Sequence, residues 1–298
     1  MERSLGVKDF KILTALEERV DEALTQRESA TAADLSVGTV NRAMADLHER
    51  GFVREGMLSA AGLEALEPYR VKRAVLIAAG FGSRLVPITL NTPKPLIRVQ
   101  GRRIIDSLLD AVYAAGIEEV YVVRGYLAEQ FDQLLYKYPG LKFIENPFYN
   151  EANNISSAVA AKDLLQNAYV FESDLLLYNP KLITKYQYSS NYLGVPVQVT
   201  DDWCFQTRRG VITGLSVGGT DCHHMFGISY WTEEDGRKLA DDVPATFAMP
   251  GGKERYWDEV ALRYFARNYE VVVRECTFDD VIEIDTYREL QELDKAYV

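Results

Sequence analysis

A chain of 298 residues has room for one large domain or two smaller ones, and 47% apolar with 26% charged residues is the balance of an ordinary globular protein. No apolar run approaches the length of a membrane span. Three widely spaced cysteines (Cys204, Cys222, Cys276) suggest no disulfide framework, and the first residues lack a signal-peptide layout, so a cytoplasmic protein without a membrane partner is expected. A formal net charge of −11 argues against unspecific attachment to nucleic acid or anionic lipid. Any polyanionic partner then needs a local cationic site or a metal.

The first 70 residues read as helical. Phe10, Leu13, Leu16 and Val20 recur at helical spacing over residues 8–22. Ser36 is placed to cap a second amphipathic helix with Val40, Met44 and Leu47 on its inner face and Gly51 at its end. Helix, turn, helix, then "GFV" and a return: this resembles a winged helix-turn-helix. The resemblance implies a helix from about Val37 to Arg50 that offers Thr39, Asn41 and Arg42 to a groove. Yet residues 1–70 hold 9 Lys and Arg against 13 Asp and Glu, whereas phosphate contacts supply most of the affinity of DNA-binding modules. A dimerisation or packing module, with a homodimer as the corresponding assembly, is therefore favoured over a DNA reader.

From residue 71 to 298, short apolar runs alternate with helical stretches, the pattern of an α/β domain. "RAVLIAAG" is a strand buried on both faces of a parallel sheet, and ligands of such sheets gather at the strands' carboxyl ends. There stand Gly80 and Gly82, flanked by Ala79 and Ser83, where the backbone can approach phosphate closely. Arg84 follows, and Lys94 is fenced by Pro93 and Pro95. A dinucleotide finger fails because residue 85 is Leu, and a P-loop is absent. What fits is G-x-G-[ST]-R-[LM] followed by Pro-Lys.

With "IEEVYVVRGYLAEQF", "NNISSAV", "YVFESDLLL", "GISYW", "RYWDEV" and "VIEIDTYREL", the chain from about Arg73 onward resembles the bacterial CTP:phosphocholine cytidylyltransferases of the sugar-nucleotidyltransferase superfamily. The resemblance implies a Rossmann-like fold with a mixed, mostly parallel sheet behind a small winged-helix domain. It also implies transfer of CMP from CTP to phosphocholine, giving CDP-choline and pyrophosphate. Such a displacement at the α-phosphorus requires positioning and charge neutralisation rather than a covalent nucleophile. Arg84 and Lys94 would face the triphosphate.

Asp174 ends a buried apolar strand, and Glu283 and Asp285 share one face of another; the resemblance makes Asp174 and Asp285 ligands of Mg²⁺, with Glu283 beside them and helix capping as the alternative. It also favours base recognition near Asn153, Asn154, Ser157 and Tyr126, although either asparagine could simply cap a helix. For the acceptor, Trp203 with Asp202, and Trp257 with Tyr256 and Asp258, combine aromatic faces with acids, as a quaternary ammonium requires. Trp231 reads as packing. The Cys222–His223–His224 segment reads as a solvated loop, in which extra donors would suit 2-aminoethylphosphonate or phosphoethanolamine instead. A sugar-1-phosphate enzyme and a nucleotide-sensing regulator are the more distant alternatives.

Overall fold

The computed structural model describes residues 5–19 and 23–298; Val20, counted above on a helix face, lies outside them. The chain divides into two compact units, one of Met1–Arg70 with Tyr186–Tyr188, the other of Val71–Lys185 with Ser189–Val298.

The first unit holds α1 (Val7–Glu17), α2 (Gln26–Ala32), α3 (Val37–Glu49), the two-stranded β1 (Val53–Arg54) and β2 (Met57–Leu58), and α4 (Ala60–Leu66). Thr25 and Glu28 close a capping box on α2, while the Ser36 hydroxyl accepts from the Thr39 N–H at the start of α3. Val40 and Leu47 of α3 are fully buried with Phe10, Leu13 and Leu16. The wing is short: Glu55 and Gly56 turn between its strands with positive φ. Tyr186 and Tyr188 complete this core, Tyr188 stacking on Tyr69 at 5.3 Å between ring centroids.

The second unit is built on a seven-stranded sheet. Its members in chain order are β3 (Arg73–Ile77), β6 (Glu119–Arg124), β7 (Lys142–Glu145), β8 (Ala168–Glu172), β10 (Asn191–Arg208), β11 (Val211–Trp231) and β12 (Val272–Glu275), in the spatial order β10-β12-β11-β8-β3-β6-β7. The minor pairs β4 (Arg98–Val99) with β5 (Arg102–Arg103), and β9 (Leu175–Leu177) with β13 (Val281–Glu283), lie outside it. β3 pairs in parallel with β6 and β8, β6 pairs in parallel with β7, and β11 joins β8 antiparallel. The fold is thus the mixed, mostly parallel α/β arrangement that the alternation predicts. Four helices accompany it: α5 (Ile104–Ala114), α6 (Ile155–Ala160), α7 (Glu233–Phe247) and α8 (Tyr287–Leu293).

β3 has Ala74, Val75 and Leu76 fully buried, as expected of a strand covered on both faces. The parallel register sets Ile77 beside Glu172, so β3 and β8 end together. β9 and β13 bring Leu175 opposite Glu283, which carries a second acidic segment to the same end. β10 and β11 form one long hairpin with several register shifts, and its curl walls the other side. Among the described residues no helix is long and apolar enough to cross a membrane.

Candidate active site

A cleft of about 520 Å³ opens at these strand ends. The loop after β3 forms its first wall. Gly82 lies in the left-handed region (φ 67°), and a Cβ there would fall 3.1 Å from Lys94 Cβ and 3.2 Å from Thr89 Cγ2. Glycine therefore lets the loop rest on the Pro93–Pro95 segment. At Gly80 a Cβ would meet nothing within 4 Å, which leaves the backbone open to a ligand.

Lys94 is nearly buried. Its Nζ donates to Asp174 at 2.9 Å and to Asp285 at 3.0 Å, and Arg84 grips both Asp285 oxygens at 2.6 and 2.7 Å. Burial alone would depress the Lys94 pKa, but the Asp174 and Asp285 carboxylates outweigh it and hold the ammonium above its usual range. Lys94 is a fixed charge.

Glu172, Asp174 and Glu283 converge, with one oxygen from each within 4.8 Å of the others. Burial, then the charges of Asp258 and Asp174, pushes Glu172 well above the usual carboxylate range. Glu283 is raised by burial and then by Asp174 and Asp285. Asp174 Oδ1 is buried with no hydrogen-bond partner among the described residues. Two buried acids that resist ionising, beside a third with an orphaned oxygen, fit a divalent cation. The sequence places Asp285 in this set and offers Glu172, two residues before Asp174 on the same strand face, only as a lesser candidate; the two oxygens of Asp285 are taken by Arg84 and Lys94, and Glu172 stands in the cluster.

The opposite wall carries Asp202, Trp203, Tyr256, Asp258 and Glu259. Trp203 and Tyr256 meet edge to face at 5.4 Å. Burial pushes the Asp258 carboxyl up to about 7, against the hydrogen bond that it accepts from the Tyr192 hydroxyl. Trp257 is not on this wall: it is 2% exposed and packs on Trp231 and Tyr192, because it faces the core between the cleft-lining Tyr256 and Asp258.

The candidates for base recognition scatter. Gly80, Gly82, Ser83, Asn153 and Asn154 line the cleft. Ala79 does not; its carbonyl accepts the Tyr126 N–H at 3.0 Å. The Tyr126 ring sits edge to face on Phe81 and its hydroxyl donates to the Leu90 carbonyl. Ser157 is buried and accepts from Asn146. Neither asparagine caps α6 with its side chain. Asn154 instead donates to Glu172 and accepts from the Trp257 N–H, and Asn153 donates to the Glu254 carbonyl. His223 and His224 lie on β11 rather than in a solvated loop: His223 pairs with Glu275, and His224 packs on Phe226 and Phe278. Glu259, the second carboxylate after Trp257 in the "YWDE" block, also lines the cleft, as that block suggests. Ser173, Leu215, Met225 and Gly227 line it too, and the sequence does not point to them, because they carry no local chemical signal.

Residues 73–191 match the family model for nucleotidyl transferase, and residues 7–54 that for winged helix-turn-helix DNA-binding. A 2-aminoethylphosphonate cytidylyltransferase of Lancefieldella rimae is 35% identical over 229 residues, 76% of this chain and 93% of that one. The chain belongs to the cytidylyltransferase family. A choline-phosphate cytidylyltransferase of Streptococcus pneumoniae is 28% identical to this cytidylyltransferase, over 74% of this chain and 97% of that one. The solved structure of the CTP:phosphocholine cytidylyltransferase from S. pneumoniae superposes with a TM-score of 0.70, at 28% identity, over 77% of this chain and all of that one. The enzyme thus joins a nucleotidyltransferase fold to a winged helix-turn-helix unit.

Proposed function

We propose that this cytidylyltransferase moves CMP from CTP to a small phosphonate or phosphate monoester bearing a primary ammonium, with 2-aminoethylphosphonate foremost. The observation that carries this reading is the acceptor wall. It offers the carboxylates of Asp202 and Asp258, but of the three tryptophans only Trp203. A primary ammonium donates three hydrogen bonds, which carboxylates accept; a quaternary ammonium donates none and depends on aromatic faces. Burial of Trp257 and Trp231 removes two such faces. The L. rimae relative supports the same acceptor.

In this reading an acceptor oxygen forms a bond to the α-phosphorus of CTP as the bond to the β-phosphate oxygen breaks, and pyrophosphate leaves. Lys94 and Arg84 neutralise the triphosphate and align it. Gly80 and Gly82 admit the nucleotide to the backbone, and Asp258 orients the ammonium. Glu172, Asp174 and Glu283 would hold Mg²⁺, which when bound neutralises phosphate charge. Phosphocholine is the second reading, supported by the Trp203–Tyr256 pair and by the S. pneumoniae relative. The test is pyrophosphate release from CTP with Mg²⁺ and, in turn, 2-aminoethylphosphonate, phosphoethanolamine, phosphocholine and glucose-1-phosphate. Higher kcat/KM for the primary amines is expected; a preference for phosphocholine would establish the second reading, and glucose-1-phosphate turnover would refute both.

A further inference from the structure

The Asn153–Asn154 pair sits at the cleft with its amide groups already engaged, by the 253–257 segment that leads into the acceptor wall and by Glu172 at the end of β8. Asn154 Nδ2 donates to Glu172 Oε1 at 2.9 Å, and Asn154 Oδ1 accepts from the Trp257 N–H at 2.9 Å. Asn153 donates its N–H to the Lys253 carbonyl at 2.7 Å and its amide to the Glu254 carbonyl at 3.2 Å. The Asn153 Oδ1 accepts from the Asn154 N–H at 2.7 Å, which locks one asparagine to the next. Glu172 is itself held in a notch. A Cβ on Gly227 would lie 2.6 Å from Glu172 Cγ and 2.9 Å from its Oε2, so only glycine on β11 lets this carboxylate reach Asn154. Beyond Asn154, the Trp257 indole is anchored against Trp231 and Tyr192, and the residues on either side of it, Tyr256 and Asp258, face the cleft.

We propose that Asn154 is a positioning residue for the acceptor: its side chain clips the Trp257 backbone to the Glu172 carboxylate, holding Tyr256, Asp258 and Glu259 against the end of β8, and it does not read the base. The clip has a defined polarity. Position 154 must donate toward a carboxylate and accept from a backbone N–H, and an amide is the short side chain that does both. Aspartate there lacks the amide donor that reaches Glu172. Combining N154D with E172Q restores the bond with donor and acceptor exchanged.

The inference rests on the assignment of residues 256–259 to the acceptor wall. A failure of that assignment shows in the wild type, as turnover indifferent to acceptor structure. A failure of the clip shows only when variants are compared. The experiment is a double-mutant cycle on the full chain, comprising wild type, N154D, E172Q and N154D/E172Q. KM and kcat are measured separately for CTP and for the best acceptor of the panel, and CTP and UTP binding are titrated without acceptor. N154D is expected to raise the acceptor KM by roughly tenfold or more when Glu172 is intact. In the E172Q background the rise should be severalfold smaller, and discrimination between CTP and UTP should be unchanged in both. If N154D does not fold, N154S, which cannot span both partners, should show the same rise in acceptor KM with unchanged base discrimination. Loss of CTP-over-UTP discrimination in either variant, or the same effect of N154D in both backgrounds, would overturn the clip.

Discussion

At the scale of single residues, the active-site charges are arranged so that several of them restrain one another. Lys94 holds both Asp174 and Asp285, and Arg84 holds Asp285 again. Replacing Lys94 with Met removes a buried ammonium that no water can substitute. We expect kcat to fall by about 10²–10³-fold, the usual effect of losing one preorganised charge or donor, in steady-state pyrophosphate release. Asp258 makes a second prediction. Because burial raises its carboxyl to about 7, the anion that attracts an ammonium forms only as pH rises through that value. The acceptor kcat/KM should therefore rise with pH around 7, and Asp258→Asn should flatten that limb while keeping the titration of the substrate itself. Stability runs the opposite way. A carboxyl whose folded pKa lies above its unfolded one favours folding at low pH, and that contribution is lost as pH rises through about 7. Thermal melts should show stability falling between the ordinary carboxyl value of 3.8 and about 7, a slope that Asp258→Asn lacks.

Elements meet one another at a few close approaches that only glycine permits. Gly236 of α7 faces backbone: a Cβ would sit 2.5 Å from the Leu165 carbonyl oxygen and 2.5 Å from Gln166 Cα. Neither atom can rotate away as a side-chain end could. Gly236→Ala should therefore destabilise by about 1–3 kcal/mol, the usual range for overpacking, read as a lower denaturant midpoint with unchanged slope. Turnover at temperatures where the variant is folded should stay near wild type, because α7 contributes no residue to the cleft lining. A stability equal to wild type would mean that α7 is free to move off the 165–166 turn. The hairpin of β10 and β11 is the contrasting case. It brings Asp202, Trp203, Leu215, Met225 and Gly227 to one cleft across register shifts that no period-two pattern foretells.

At the scale of the whole molecule, three residues from the middle of the chain belong to the first unit. Tyr186 and Tyr188 are buried or half-buried with Phe10 and Tyr69. A chain truncated before Val71 would leave these tyrosines without their core, so we expect it to melt at a lower temperature than the full chain. Equal melting temperatures would show that Tyr186–Tyr188 repack without the first unit. The winged-helix unit matches a DNA-binding model, but residues 1–70 carry 9 basic against 13 acidic residues and the tip of the wing is Glu55–Gly56. With acidic residues outnumbering basic ones in this unit, no salt-dependent shift of duplex DNA is expected near physiological ionic strength. A specific shift would make this unit a regulator.

What was legible in the sequence was local or periodic: the strand "RAVLI", the glycines and arginine after it, the proline-fenced Lys94, the Ser36 helix start and the acid-ended strands. Each follows from backbone geometry or burial within a few residues of itself. Tertiary structure alone decided the partners. It gave Asp285 to two cations and Glu172 to the acid cluster, turned Trp257 inward between two cleft residues, and bound the two asparagines to a segment about a hundred residues away. Side-chain direction and the choice among competing hydrogen-bond partners depend on which distant strands pair and in what register. That information is absent from any short stretch of chain and exists only once the sheet has formed.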